Sequence, residues 1–219
     1  VLYTGNDHLF EYNVVSNVVN CSDDAGALYK GRNPSMRGNV IRYNLFNQKV
    51  NNGANYSIYL DDATTEMKVY GNYFFGRHSA VIIHNSRSQE VRDNVFVKAT
   101  YAILGLITCE EDGTPLEGVS PIGVGGGTWE WNGLYRHCIT DPPKEGEPGY
   151  EQWKEKFPDM YEFYVDINDL TGKNNLACPY NEIHDNYSFD DAEDLNEDRQ
   201  VHLAEYAVKV GKIYNNPQY

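Results

Sequence analysis

Two pairs of neighbouring aspartates stand out as groups that could do chemistry. Asp23 and Asp24 come just before a short apolar segment, and Asp61 and Asp62 come just after a similar one. Enzymes that cleave glycosidic bonds generally use two Asp or Glu side chains on opposite sides of the bond, one as the acid and one as the base or nucleophile. The pairs therefore predict a carbohydrate-cleaving site. Because Asp also favours turns, each pair could instead be a turn-forming feature.

Four other side chains are candidates for contacts with a sugar. His84 could bind a sugar hydroxyl or tune a carboxylate, and Tyr59 could stack on a pyranose ring. Lys30 and Arg32 lie close to Asp24 in the sequence. A cation in that position would lower the pKa of a carboxylate or serve as the base of a lyase. Ordinary surface pairing or solvation would explain the same residues.

The charge balance excludes several classes of partner. The 219 residues contain 18 Lys and Arg against 32 Asp and Glu, which gives a formal net charge of -14. Such a chain repels nucleic-acid phosphates and anionic membranes, so we expect neither as a partner, and a neutral sugar chain suits it better than an anionic one. No apolar stretch reaches the length of a membrane-spanning helix. The cysteines lack a C-x-x-C spacing, so we expect no zinc site. We expect no cofactor, with Ca²⁺ held by the Asp pairs as the one alternative.

An internal repeat indicates which elements position these residues. Four segments align without gaps and a fifth is close to them, at residues 8–15, 39–46, 67–74, 89–96 and 181–188. In each segment an apolar residue stands three positions before an asparagine. The asparagines are Asn13, Asn44, Asn72, Asn94 and Asn186, separated by 31, 28, 22 and 92 residues. The shortest step is typical of one β-helix coil, and the longer steps indicate coils with enlarged loops.

The repeat predicts an all-β fold, a right-handed parallel β-helix in which short strands stack coil upon coil at ~4.8 Å. Residues that face inward must then be apolar. An asparagine that recurs at one corner is explained if its side-chain amide bonds to the backbone and to the asparagine of the next coil. We therefore assign the five asparagines a structural role and no catalytic one.

A second set of strands is predicted between the asparagine corners, at residues 26–31, 57–62, 80–85 and 101–106. Aligned by their apolar residues, these strands give one column of Ala27, Ile58, Val81 and Ala102 and another of Tyr29, Leu60, Ile83 and Leu104. Because side chains alternate along a strand, Lys30, Asp61 and His84 would then project outward as a vertical file. A polymer could lie along such a file.

The repeat stops after Leu106, and residues 107–178 are predicted to be an irregular, partly helical insert within a single domain of residues 1–219. Apolar residues from Trp153 to Tyr164 recur at helical steps, and Pro158 should interrupt the helix. The insert is expected to be either a wall or lid of a binding groove or a cap on the stack. We also expect the chain to be a fragment of a longer β-helix with upstream coils.

Parts of the sequence resemble a family of bacterial right-handed β-helix glycoside hydrolases that includes a xylanase and a pectin-active α-L-fucosidase. The resemblance is carried by residues 23–32 (DDAGALYKGR), 37–46 (RGNVIRYNLF), 58–62 (IYLDD) and 69–74 (VYGNYF), and returns at 153–158 and 181–189. It implies that one Asp of each pair is catalytic. We assign Asp24 and Asp61, with Asp23 and Asp62 as alternates. Lys30 stands where the pattern of that family has Thr.

The leading hypothesis is a glycoside hydrolase that acts on a polysaccharide or oligosaccharide, with Asp24 and Asp61 as acid and base or nucleophile. Lys30, Arg32, Tyr59 and His84 are its expected substrate contacts. One alternative is a polysaccharide lyase with Lys30 or an Arg as the base and Ca²⁺ held by the aspartates. The other is a non-catalytic carbohydrate-binding or surface module on the same scaffold. We expect any of these to be secreted, periplasmic or displayed at the cell surface.

Overall fold

A computed structural model describes residues 1–48, 55–62, 64–76, 79–84, 86–99, 101–106, 141–162, 181–189 and 211–216. Within these ranges the chain forms fifteen β-strands and two short α-helices. The strands belong to three sheets, and every strand pair in them is parallel. The prediction of an all-β fold is therefore confirmed.

Successive strands are distributed over the three sheets in turn. Sheet 1 contains, in spatial order, β1 (Leu9–Glu11), β4 (Val40–Arg42), β7 (Lys68–Tyr70), β10 (Glu90–Arg92), β13 (Asn181–His184) and β15 (Gly211–Tyr214). Sheet 2 contains β2 (Val14–Ser16), β5 (Leu45–Asn47), β8 (Tyr73–Phe75), β11 (Val95–Val97) and β14 (Tyr187–Phe189). Sheet 3 contains β3 (Ala25–Lys30), β6 (Asn55–Leu60), β9 (Ser79–His84) and β12 (Tyr101–Leu106). From β1 to β14, every third strand along the chain belongs to the same sheet.

The aligned segments of the sequence repeat form the paired strands of sheets 1 and 2. The apolar residue that stands three positions before each asparagine lies in one register column, made of Phe10, Ile41, Val69, Val91 and Ile183. These side chains belong to one core cluster, with Phe10 packed at its edge. The alignment derived from the sequence therefore gives the correct register for these two sheets.

Stacked aromatic rings fill the core behind sheet 2. Phe46 and Phe74 lie with their ring centroids 4.9 Å apart and nearly parallel, and Phe74 and Phe96 repeat this arrangement at 4.9 Å. The three rings are at most 1% exposed. Their separation equals the spacing of neighbouring strands, ~4.7–4.9 Å, so the stacking follows directly from in-register pairing.

A ladder of asparagine side chains runs along the corner between sheets 1 and 2. The Oδ1 atom of Asn72 accepts hydrogen bonds from both the backbone N–H and the Nδ2 of Asn44, each at 3.0 Å. The Nδ2 of Asn72 donates to the Ile41 carbonyl of the preceding repeat at 2.9 Å. The same pattern joins Asn13, Asn44, Asn72, Asn94, Asn186 and Asn216 in one series. The ladder confirms the structural role predicted for five of them, and Asn216 is a sixth member that the sequence repeat did not indicate.

A second polar series lies at the corner that precedes sheet 1. The Oδ1 of Asn39 accepts the N–H of His8, and the Oε1 of Gln89 accepts the N–H of Met67. The Oδ1 of Asn181 in turn accepts the N–H of Gln89 at 2.9 Å. This position is occupied in turn by His8, Asn39, Met67, Gln89 and Asn181. The sequence therefore shows no repeat of one residue type there.

The described part of the predicted insert is helical and packs beside the first repeat. Helix α1 (Tyr150–Lys156) ends before Pro158, and helix α2 (Asp159–Glu162) follows, so the predicted interruption is confirmed. Lys156 forms an ion pair with Asp7 at 2.5 Å, and Asp141 accepts a hydrogen bond from Ser35 at 2.6 Å. The rest of residues 107–178 lies outside the described ranges. No helix within those ranges is long and apolar enough to cross a bilayer.

We expect Asn72→Ala to lower the free energy of unfolding by roughly 2–4 kcal/mol, because it removes the acceptor of a buried backbone N–H together with two donated bonds. The matched control is Asn13→Ala, at the exposed end of the same ladder, where water can replace the lost bonds. That variant should lose less than about 1 kcal/mol. Urea denaturation measures both values, and equal losses would contradict the assigned role of the ladder.

Candidate functional site

The register of sheet 3 decides which side chains share its outer wall. Leu28 pairs with Ile58, Tyr29 with Tyr59 and Lys30 with Leu60. The predicted columns are right between β6 and β9, where Ile58 pairs with Val81 and Leu60 with Ile83. They are wrong by one residue for β3 and β12, because Ile103 and Gly105 pair with Val81 and Ile83. The sequence alignment matched apolar residues, whereas the inward column contains a lysine in β3 and a glycine in β12.

Lys30 faces the interior of the stack, so its predicted outward position is wrong. The residue is 2% exposed, its Nζ lies 3.4 Å from the Gly5 carbonyl oxygen, and its ammonium group stands over the Tyr3 ring at 5.6 Å. Burial, with the nearby Arg37 guanidinium, lowers the pKa of Lys30 to about 7. Lys30 is therefore not part of the wall that carries Asp61.

Asp61 is held by two side chains from the neighbouring strands. The Tyr29 hydroxyl donates to its Oδ2 at 2.5 Å, and His84 Nδ1 lies 2.8 Å from its Oδ1. The carboxyl is 7% exposed. Burial alone would raise the pKa of Asp61, but the hydrogen bonds from His84 and Tyr29 outweigh it and hold that pKa below its ordinary value. Asp61 and His84 are thus vertical neighbours, as the sequence predicted.

Gly31 makes the contact between Tyr29 and Asp61 possible. A Cβ atom at residue 31 would come within 2.9 Å of the Asp61 Cβ and 3.0 Å of the Tyr29 hydroxyl. Real side chains essentially never approach this closely, so an alanine there would displace one of the two groups. The glycine that follows β3 therefore leaves room for the bond.

His84 lies among three carboxylates. Burial would lower the pKa of His84, but the hydrogen bond to Asp61 and the charges of Asp62, Asp61 and Asp24 raise it above its ordinary value. The Oδ1 of Asp62 lies 3.7 Å from His84 Nδ1. His84 therefore responds to the charges of both Asp24 and Asp61. The pairing of these two aspartates as catalytic groups stays a prediction.

Asp24 joins this cluster through Tyr59. The Tyr59 hydroxyl donates to the Asp24 Oδ1 at 3.0 Å, and the Tyr59 ring packs edge to face on Tyr29 with centroids 5.2 Å apart. Asp24 is exposed and has a left-handed backbone, with φ of 53°, a conformation that Asp tolerates in turns. Two paired tyrosines therefore connect the two carboxylates, and the adjoining Asp23 is exposed to solvent.

Tyr59, like Lys30, occupies a position other than the one expected of a sugar contact. Tyr59 is 5% exposed, so its ring is not free to stack on a pyranose, and only its hydroxyl serves the cluster. Arg32 is the exposed cation of the set, with 69% of its side chain accessible and its Nε 3.7 Å from the Asp62 Oδ2. Tyr29 is the residue that sequence reasoning missed. Its alignment with Leu60 hid that it pairs with Tyr59 and reaches Asp61.

Asp61, Asp62 and His84 also form a group of potential metal ligands. One ligand atom from each lies within 4.8 Å of the other two. Ca²⁺ generally takes six to eight oxygen ligands, whereas this group offers two carboxylates and an imidazole nitrogen. The donor set therefore fits the predicted Ca²⁺ alternative poorly.

No protein-family model, no curated protein and no solved structure matches this chain. The resemblance to β-helix glycoside hydrolases accordingly stays a prediction. Any assignment of function has to come from the side chains of the described residues.

We expect Lys30→Met to stabilise the protein at about pH 6 and to lose this advantage as the pH rises. Because the folded-state pKa lies near 7 and the unfolded value near 10.5, the folded state carries the cost of a buried charge below pH 7. Between these two pKa values only the unfolded state retains the proton, so the wild-type free energy of unfolding rises with pH.

Urea denaturation of Lys30→Met and wild type at several pH values from about 6 to 9 checks this expectation. Lys68→Met is the matched control, since the Lys68 side chain is 57% exposed. A stability difference between wild type and Lys30→Met that does not change with pH would refute the buried position of the ammonium group.

We expect Asp61→Asn to lower the pKa of His84, because it removes the hydrogen-bonded negative charge that helps to raise it. An NMR titration of the His84 ring, assigned with His84→Gln, measures the change. Asp23→Asn is the control and should leave the His84 titration where it is in the wild type. An unchanged titration in Asp61→Asn would remove Asp61 as the partner of His84.

Proposed function

We propose that the three sheets are the walls of a right-handed parallel β-helix, and that the outer wall of sheet 3 is the active site of a glycoside hydrolase. The parallel pairing and the cyclic order of the strands support the winding. Parallel crossover connections are right-handed in about 98% of cases, which supports the hand.

One observation carries the proposal for the site. Asp24 and Asp61 are separated by 37 positions in sequence, yet each accepts a hydrogen bond from one member of the same tyrosine pair. Glycoside hydrolysis requires two carboxyl groups beside one bond. The shared tyrosine pair supports the assignment of Asp24 and Asp61 to one site.

The surroundings of the two carboxylates suit different roles. Asp61 has a lowered pKa and accepts hydrogen bonds from Tyr29, His84 and the Asp62 backbone, so it is ionised near neutral pH. It is suited to be the base or nucleophile. Asp24 is exposed and accepts a bond from Tyr59 at one oxygen, and we assign it the role of the acid that protonates the leaving group. Asp62 is the alternate second carboxylate, since it lies beside the same imidazole.

His84 acts in this proposal as a positioning residue. Its Nδ1 holds Asp61, and its raised pKa favours the charged imidazolium beside the carboxylate. Arg32, at the exposed side of Asp62, is placed to contact a sugar hydroxyl. The net charge of -14 favours a neutral polysaccharide or oligosaccharide as the substrate, at a cell surface or outside the cell.

The lyase alternative loses support from the position of Lys30. A lyase base must reach a proton of the substrate, and Lys30 is 2% exposed on the inner side of β3. Arg32 remains the exposed cation near the aspartates, but an arginine stays protonated at neutral pH and is a poor base. If the protein binds a polysaccharide but does not cleave it, the non-catalytic module is the favoured alternative.

We expect Asp24→Asn and Asp61→Asn each to lower turnover at least about a hundredfold. Because Asp24 is exposed, Asp24→Asn should do so with little effect on stability. The assay is reducing-end release from a panel of neutral plant and microbial polysaccharides, with ultraviolet absorbance recorded to detect the unsaturated products of a lyase. Asp23→Asn is the matched control and should retain wild-type turnover. If the wild type binds a polysaccharide but releases no product, or if both variants keep full activity, the hydrolase proposal is wrong.

A further inference from the structure

The outer face of sheet 2 is apolar although it points away from the core. Phe46, Phe74 and Phe96 point inward from β5, β8 and β11, so the residues on either side of each point outward. These outward residues form two register columns, namely Val14, Leu45, Tyr73, Val95 and Tyr187, and Ser16, Asn47, Phe75, Val97 and Phe189. Neither column contains a charged side chain. This face is called the aromatic face below.

Four rings dominate the aromatic face. Tyr73 and Tyr187 are each 42% exposed, and Phe75 and Phe189 are 38% and 41% exposed. Val95 and Val97, which lie between them in the two columns, are only partly exposed. Exposed aromatic rings separated by low aliphatic side chains form a platform, and an exposed apolar patch of this kind marks an interaction site.

The aromatic character of its exposed side chains distinguishes this platform from the exposed end of the stack. At the edge beside β1 and β2, the exposed large side chains include the aliphatic Val1, Leu2 and Leu9. From β5 to β14, every large apolar side chain of the aromatic face that is more than one-third exposed is Tyr or Phe. Aromatic rings can stack on the C–H faces of a pyranose, and the hydroxyls of Tyr73 and Tyr187 can also bond to its hydroxyls. Packing against another protein core has no need of a face restricted to aromatic rings.

The spacing of the rings fits a chain of sugars that runs along the stack. Tyr73 and Tyr187 occupy one column with one strand between them, so their backbones are two strand spacings apart, ~9.6 Å. Phe75 and Phe189 repeat that spacing in the second column. Two rings at this interval suit alternate residues of an extended polysaccharide, whose successive pyranoses turn the same face outward only at every second residue.

The lack of charge on the aromatic face selects a neutral ligand. The protein as a whole has a net charge of -14, yet both columns are uncharged. Lys98 lies at the rim, with its Nζ 6.0 Å from the Phe75 ring centroid. Nucleic acids and anionic polymers require several cations along their length, and the columns supply none.

We propose that the aromatic face is a second, non-catalytic carbohydrate-binding site that holds a neutral polysaccharide chain along the stacking direction. The sugar class rests on the proposed hydrolase function, but the site itself lies on sheet 2, away from the Asp24 and Asp61 wall of sheet 3. Occupation of the aromatic face therefore leaves the hydrolytic wall open. It would keep the protein on a long polymer between cleavage events.

The test combines Tyr73→Ser and Tyr187→Ser in the Asp61→Asn background and measures binding to neutral polysaccharides by affinity electrophoresis. We expect retention by the polymer to fall at least about tenfold, since each lost stacking contact removes apolar contact area. Phe75→Leu with Phe189→Leu should cause the same loss, because it keeps the face apolar and removes the rings. Tyr214→Ser, on sheet 1, is the matched control and should retain binding.

Two further measurements separate this proposal from its alternatives. With Asp61 intact, hydrolysis of short soluble oligosaccharides should be unchanged in the Tyr73 and Tyr187 double variant. Unchanged polymer binding in both double variants would overturn the proposal, and so would light scattering that shows a wild-type dimer converted to monomer by them. Since binding is measured without turnover, failure of the hydrolase proposal would appear as unaffected activity in Asp24→Asn and leave the binding result standing.

Discussion

The structure depends on one constraint, that the backbone amides at each buried corner need a hydrogen-bond partner in the neighbouring repeat. Asn44, Asn72 and Asn94 meet it by accepting from the previous repeat and donating back to it, with distances between 2.9 and 3.1 Å. A shift of one residue would break every bond of the ladder at once and leave buried polar groups unsatisfied. The ladder therefore fixes the register, and the apolar columns and the stacked phenylalanines follow from it.

The same register creates the candidate site. Tyr29, Asp61 and His84 are brought together because three successive strands of sheet 3 end at the same level of the wall. Asp61 is nearly buried, but hydrogen bonds from both sides keep it charged, so the cost of desolvation is offset locally. Lys30, one position before Gly31, faces inward, where burial and the Arg37 charge lower its pKa. Lys30 and Asp61 thus both have a lowered pKa, but this favours the neutral form of Lys30 and the charged form of Asp61.

The sequence alone predicted those parts of the fold in which one residue type recurs at the same position of each repeat. The asparagine corners gave the strands and the register of sheets 1 and 2, because Asn recurs at one offset from an apolar residue. The second polar series was missed, since Met67 and Gln89 stand between Asn39 and Asn181 and no single residue type recurs there. In sheet 3 the predicted register of β3 was wrong by one residue, because an alignment that places apolar residues inside cannot anticipate a buried lysine. The approach of Asp61 to His84 was predicted correctly, whereas the tyrosine pair that links Asp61 to Asp24 depended on the register that the alignment had missed.

Disulfide trapping across β3 and β6 tests the central claim most directly, because strand partners bring Cα atoms to about 4.4–6.8 Å, the range that a disulfide requires. The account predicts that Tyr29→Cys with Tyr59→Cys forms a cross-link under mild oxidation, detected by mass spectrometry of the bridged peptides. Tyr29→Cys with Leu60→Cys should form none, since the two side chains then point to opposite faces of the sheet. The reverse result would place Tyr29 beside Leu60 and remove the wall on which Asp24, Asp61 and His84 meet.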